Sequence, residues 1–353
     1  MTRGNYILNF IRNKTNVLVL LLVACCGGNA VAQDPHFSQF FEAPLTRNPS
    51  LAGIFDGDIR VQSVVRSQWG TVSVPYQTGS LNGEYKCPIG KANDYITMGM
   101  QLLYDRAGTI NFTTTNIMPV INYHKALSGD KTKYLSMGFM GGWVQRSIDR
   151  SLVTTNNQYD GYGYNPAMYD GEVFSRSKYS YWDAGVGMSF NSSIGDSRDN
   201  NYYVGIAYHH FNTPVNSFYK NPTIELHPKW VFSGGLKTTI SEEAYVTILL
   251  DHSRQSTFNE TVFGALYSRK VGAYYDNPNY IVHLGAFIRW NDSFIPVIKL
   301  DYNPFSVALS YDINISNLKT ASQTVGAVEL SVSYIGFLDR ANSSKNAVMC
   351  PRF

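Results

Sequence analysis

Charged residues are scarce in this chain. Lys, Arg, Asp and Glu together make up 16% of its 353 residues, against about a quarter in an ordinary soluble domain. The 29 basic residues outnumber the 26 acidic ones by three. Arg3, Arg12 and Lys14 account for that excess, and they stand in an N-terminal stretch without a single acid. The remainder is formally neutral, with no basic patch to meet a phosphate backbone, so nucleic acid is excluded as a partner. Cysteine is rare as well, with four in the whole chain. Beyond residue 24 there is no apolar run of the roughly 18 residues a membrane helix needs. If this chain crosses a bilayer, it does so as a closed barrel. Catalytic and metal signatures are missing too. There is no G-x-S-x-G. The seven histidines (36, 124, 209, 210, 227, 252 and 283) never take H-x-H or H-x-x-x-H spacing. His209 and His210 are expected on opposite faces of a strand, where they cannot share a metal. Cofactors are expected to be none. A barrel-wall hydrolase built on His124, His252 or His283 with a nearby serine is the enzymatic alternative.

Aromatic residues are abundant instead, at 14%, with 25 Tyr and 19 Phe. They sit in a regular alternation. In FSVALSYDINIS (305–316), Phe305, Val307, Leu309, Tyr311, Ile313 and Ile315 alternate with Ser306, Ala308, Ser310, Asp312 and Asn314. The same period of two recurs at 95–104, 202–209, 280–290, 294–302 and 328–334, and it marks β-strands. A soluble β-sandwich would turn its apolar set inward, and an outer-membrane barrel turns it toward lipid. Segments of about ten residues, aromatics at their ends, and connectors alternating between short and long favour the barrel. The expected fold is all-β, an antiparallel outer-membrane barrel of about fourteen strands. They are placed at 58–70, 79–87, 95–107, 113–126, 134–147, 179–191, 201–212, 229–240, 244–255, 260–271, 280–291, 294–303, 305–316 and 325–338. An even count puts both chain ends on the periplasmic side, with turns such as 88–94, 128–133 and 241–243. The long loops 148–178 and 213–229 then face the exterior.

Residues 1–32 read as a secretory leader, with a short apolar core (17–24) and Ala30-Val31-Ala32 as cleavage site. Leu22-Val23-Ala24-Cys25 offers a lipidated Cys25 as the alternative. Residues 33–57 hold Phe37, Phe40, Phe41 and Leu45 among Pro35, Pro44 and Pro49. That composition predicts an ordered segment packed at or within the periplasmic mouth of the barrel (58–338), with a periplasmic tail at 339–353. Cys87 and Cys350 both fall on the periplasmic side. They form a candidate disulfide worth about 4–5 kcal/mol before strain, with two free thiols as the alternative. Lys299, Asp301, Asp312 and Glu329 share the polar face of three consecutive strands and are expected to pair along the lumen wall. Such a neutral network suits a filled lumen better than an ion-selective pore. Tyr159, Tyr162, Tyr164 and Tyr169, in the longest loop, form a candidate partner-binding surface, since tyrosine gives large contact area at low entropic cost.

The segment QDPHFSQFFEAPLTRNPSLAG (33–53), the Arg66-x-Gln68-Trp69 stretch and the terminal CPRF (350–353) resemble the PorP/SprF family of type IX secretion proteins. The matching pieces are Gln33-Asp34-Pro35, Phe37-Ser38-Gln39 and Asn48-Pro49 with Ala52-Gly53. The resemblance implies an outer-membrane barrel of the type IX secretion and gliding machinery, without enzymatic activity. It implies as partners large secreted substrates or adhesins, held by their C-terminal domains, and the lipoprotein of the machine's periplasmic ring. A passive porin or specific solute channel is the alternative function.

Overall fold

The computed structural model describes residues 34–70, 74–89, 93–129, 132–172, 175–195, 197–273, 278–316, 319–322 and 324–338. Fourteen strands dominate it. They are β1 (Ile59–Gln68), β2 (Tyr76–Ile89), β3 (Asp94–Ala107), β4 (Phe112–Ala126), β5 (Lys133–Ser147), β6 (Lys178–Ile194) and β7 (Ser197–His209), then β8 (Lys229–Ser241), β9 (Ala244–Gln255), β10 (Phe258–Val271), β11 (Tyr280–Arg289), β12 (Ser293–Tyr302), β13 (Phe305–Asn314) and β14 (Val325–Gly336). Each pairs antiparallel with its neighbours in sequence, and β1 closes the ring on β14 from Ile59↔Gly336 to Gln68↔Ala327. Closure leaves no sheet edge with unpaired backbone groups. All fourteen expected strands are present.

The alternation reads directly as inside and outside. In β14, Val328, Leu330, Val332 and Tyr334 lie on the exposed wall, while Glu329, Ser331 and Ser333 are buried in the lumen. Leu330 is 47% exposed and Glu329 is 0% exposed. That inversion of an ordinary core suits a wall solvated by lipid. Among the described residues, no helix is long and apolar enough to cross a membrane. The strands of 10 to 17 residues meet the span a tilted membrane strand requires.

Turn chemistry separates the two rims. The rim where β1 begins and β14 ends is called the near end here, and the opposite rim the far end. At the near end β8 and β9 are joined through Glu242-Glu243, and β12 and β13 through Asn303-Pro304. The far end carries the long connections, 148–177 between β5 and β6 and 210–228 between β7 and β8. Tight turns at this rim use Asn111 (φ 49°) and Asn291 (φ 58°), left-handed positions that asparagine tolerates.

The segment before β1 takes the inner of its expected places, within the barrel, and reaches deeper than the mouth. Residues 35–58 form neither a tail nor a cap on the near-end mouth. They fill the lumen as a strap of short turns, Phe40–Glu42, Pro44–Arg47 and Pro49–Leu51. Phe40, Phe41, Leu45, Leu51 and Ile54 are buried against inward residues of the wall.

Candidate functional site

The filled lumen is the most elaborately built region of the molecule, and its geometry follows the strap from its start. His36 Nδ1 lies 3.4 Å from Glu260 of β10, close to the far-end turn between β9 and β10. Ser38 and Gln39 donate their backbone N–H groups to the two oxygens of Glu329, at 2.6 and 2.7 Å. Ser38 Oγ donates to Asp312 at 2.8 Å and accepts from Arg66 (2.7 Å) and Arg289 (2.6 Å). Arg66 also bonds Glu329 and stands 3.0 Å from Asp312, and Arg289 stands 3.1 Å from Asp312. Two arginines and two carboxylates from β1, β11, β13 and β14 thus close on one serine. Such groups are tolerable in a buried site only when paired and hydrogen-bonded throughout.

The strap then descends. Glu42 accepts from Lys299 at 2.6 Å and from Gln62 at 3.1 Å. Phe40 and Phe41 pack on Phe287 with ring centroids 5.3 Å apart in each pair. Arg47 bonds Asp251 through Nε at 2.5 Å and Tyr203 through Nη2 at 2.9 Å, with its guanidinium over the Phe40 ring. On the opposite side of the lumen the wall is shaped rather than charged. A Cβ on Gly138 would stand 2.4 Å from the Pro49 carbonyl carbon, and one on Gly187 would stand 1.9 Å from Asn48 Oδ1. Asn48 donates to the Ile206 carbonyl at 3.1 Å, and its Oδ1 accepts from the N–H and hydroxyl of Ser50 at 2.8 and 2.7 Å. Asn122 donates to the carbonyls of Ser50 and Ala52 at 2.7 and 2.8 Å. Gly53 takes φ 81° and gives its N–H to Glu84 at 2.7 Å, while Glu84 is paired with Arg60. The strap thus begins near the far end and leaves the lumen at the near end, where β1 starts.

The four expected lumen charges divide into two groups. Lys299 and Asp301 lie 3.7 Å apart along β12. Asp312 and Glu329 do not meet them; Arg66 bridges the two, and Arg289 joins Asp312 from β11. The network therefore includes one cross-strand pair of the wall, Arg66 on Glu329, and otherwise reaches over more distant strands and into the strap. Its further members are Arg66, Arg289 and the strap's own Glu42 and Ser38. A period-two pattern shows which face a residue takes, and it is silent about a partner 290 residues away, as in Gln39 to Glu329. Glycines at inward strand positions, Gly138, Gly187 and Gly205, were the available sign that another backbone approaches.

His209 and His210 do not take opposite faces. β7 ends at His209, and His210 turns into a left-handed conformation (φ 56°). Both imidazoles are buried, His209 on the Arg47 carbonyl at 3.0 Å and His210 on Asp183 at 2.7 Å. Among the described residues no group of three or more His, Cys, Asp or Glu is placed to hold a metal. His124 binds Ser136, His252 binds Thr261, and His283 stands between Ser268 (2.7 Å) and Asp301 (3.0 Å). The last trio has the order of a hydrolase triad, but Ser268 is fully buried in the wall and exposes no nucleophile. Cys87 is half-buried near the near end of β2. Cys350 lies outside the described residues, and so does the pairing expected between them.

At the far end, Tyr159, Tyr162, Tyr164 and Tyr169 are all exposed, Tyr162 completely at 100%. Asp160 receives the N–H groups of Tyr162 and Gly163, both at 3.0 Å. Those bonds hold its carboxyl below the usual range. Arg150 ties the loop to Asp170 at 2.5 Å, and Tyr219 Oη reaches Glu172 at 3.1 Å from the neighbouring loop. The tyrosines are thus presented on a braced platform.

The family model of the type IX secretion system membrane protein PorP/SprF matches residues 29–334, and the chain belongs to this family. No curated protein matches it in sequence. Among solved structures, CdiB from Acinetobacter baumannii shares 9% identity at a TM-score of 0.42, over 78% of this chain and 60% of that one. The chain thus spans less than two thirds of that protein's length. A Pseudomonas aeruginosa FadL homologue shares 10% identity at a TM-score of 0.47, over 81% of this chain and 92% of that one. The Pseudomonas putida toluene transporter TodX shares 8% at 0.43, over 81% and 92% respectively.

Proposed function

We propose that this PorP/SprF barrel is a closed outer-membrane platform that anchors large type IX substrates, or assists their export, and does not conduct solutes. The observation that carries this reading is the strap. A porin needs an aqueous lumen, and here residues 35–58 occupy it through charged, aromatic and backbone bonds on several sides. With the lumen occupied, recognition falls to the rims. The far end, taken as the cell-surface side, presents the four tyrosines for the C-terminal domain of a secreted protein. The near end, taken as the periplasmic side, is where a ring lipoprotein would meet the barrel. The role is one of binding, and no reaction is assigned.

Photo-crosslinking in intact cells tests the reading. A crosslinking residue at Tyr162 should capture a large secreted protein through its C-terminal domain, and one at Leu330, on the lipid-facing wall, should not. Capture of no secreted protein from any far-end position, together with steady ion conductance by the purified barrel, would favour the porin instead.

A further inference from the structure

Near the far end, polar residues on β9 and β10 interrupt the lipid-facing wall. Ile248, Leu250, His252 and Arg254 follow one another on the outer face of β9. Strand register sets Thr261 beside His252 and Asn259 beside Arg254. Directly paired side chains on one face stand about 5 Å apart, so the four polar groups form a compact square. On its β8 side, Phe232 pairs with His252 and Trp230 with Arg254. On its β11 side, Trp290 gives its N–H to the Thr261 carbonyl at 2.9 Å, and its ring lies 6.3 Å from that of Phe263. Trp290 is 64% exposed. Toward the middle of the wall the surface is apolar again at Leu250 and Phe263. Gly234, between Val204 and Leu250, leaves a notch there.

The square carries positive charge and no acid. Arg254 is exposed, and among the described residues its guanidinium has no ion pair or hydrogen bond. His252 Nδ1 is bonded to Thr261 Oγ1 at 2.8 Å, while Nε2 lies open on the outer face. With Thr261 donating to Nδ1, the imidazole is left with Nε2–H as an outward donor. The acids of the same two strands point the other way. Asp251 is bonded to Arg47 and Glu260 stands against His36, both inside the lumen. Asp292, in the nearest far-end turn, holds the lumen residue Arg289. A cation on the lipid-facing wall is costly at mid-bilayer and tolerated near the interface. Guanidinium, imidazole and amide donors thus stand together above an apolar notch. A planar guanidinium meets two phosphate oxygens at once, and acyl chains fit along Gly234, Leu250 and Phe263. We infer that this outer face is a binding site for the phosphate headgroup of a membrane lipid in the far-end leaflet. It rests on the bilayer-spanning barrel and is independent of the anchoring reading.

Native mass spectrometry of the purified full-length barrel tests the site. The probe is dioleoyl phosphatidic acid. Dioleoylglycerol supplies the same chains without phosphate, and inorganic phosphate supplies the anion without chains. The native chain should take up one phosphatidic acid saturably, at concentrations where neither control binds. Arg254→Gln should weaken that uptake about tenfold or more, since a charge-assisted bond to phosphate is lost. His252→Leu should weaken it less. Lys178→Gln, which removes an exposed cation at the far end of β6, should leave it unchanged. Heat-modifiable gel mobility checks that each barrel is closed, and Asn259→Leu carries the same test if Arg254→Gln does not close. Equal uptake of phosphatidic acid by the native and Arg254→Gln chains overturns the assignment, as does equal uptake of dioleoylglycerol. An equal loss in Lys178→Gln would mean attraction by net charge alone and would overturn it too. Uptake of inorganic phosphate as tight as that of phosphatidic acid would mean a soluble anion and would overturn the lipid.

Discussion

The two sides of the lumen hold the same strap by different physics. On the β11–β14 and β1 side, Arg66, Arg289, Asp312, Glu329 and Lys299 grip residues 38–42 through charged hydrogen bonds. On the β4–β7 side, Gly138, Gly187 and Gly205 hollow the wall, Asn122 and Ser189 donate to the carbonyls of Ser50 and Ala52, and the strap's Asn48 donates to the Ile206 carbonyl, all through neutral groups. Charge is long-ranged and strict about partners. A glycine hollow is short-ranged and strict about shape. A strap held both ways is fixed in register along its length, and neither half can slide without stranding a charge or striking backbone.

The charged side should break hardest. Arg66→Met leaves Glu329 and Asp312 short of a cation, and removing one partner of a buried ion network costs about 3–5 kcal/mol. Hydrogen exchange should then report opening of residues 37–42, while gel mobility still shows a closed barrel. Glu329→Met with Arg66→Met restores neutrality and should recover part of the loss. On the shaped side, Gly187→Val places carbon where Asn48 sits, and overpacking of this kind costs about 1–3 kcal/mol. Exposure of residues 47–52 to a protease acting in the lumen would check it. Asn48→Ala removes a capping acceptor and a donor to the wall, a change of about 1–2 kcal/mol, with the same segment as readout. The smallest effect lies outside the lumen. The folded Asp160 carboxyl titrates below its unfolded value of about 3.9, so its ordering of the Tyr162 loop is fully present above that value. Order should be lost only as pH falls through the lower folded value, so tyrosine fluorescence should stay flat down to about pH 4 and change only below it. Asp160→Asn should weaken the pH response.

Much of the wall was legible from residue order. Phe305, Val307, Leu309 and Tyr311 announce an outward face, and Ser306, Ser310 and Asp312 an inward one, because strand geometry converts a period of two directly into two sides. The same logic placed Lys299, Asp301, Asp312 and Glu329 in the lumen. Their partners were not legible. Arg66 meets Glu329 across 263 positions and Asp312 across 246, and such pairs arise only from ring closure. The depth of the strap was hidden for a related reason. Phe40, Phe41 and the prolines mark residues 33–57 as ordered, but their seat is formed by Gly138, Gly187 and Phe287 on distant strands. His210 was misread because its left-handed turn depends on where β7 stops, which alternation alone does not mark.

Single-channel conductance of the purified barrel in planar bilayers bears most directly on the closed lumen. The native chain should be silent, and the Arg66→Met/Gly187→Val double variant, released on both sides, should conduct. A native barrel with steady conductance that the double variant leaves unchanged would mean that the strap does not close the lumen.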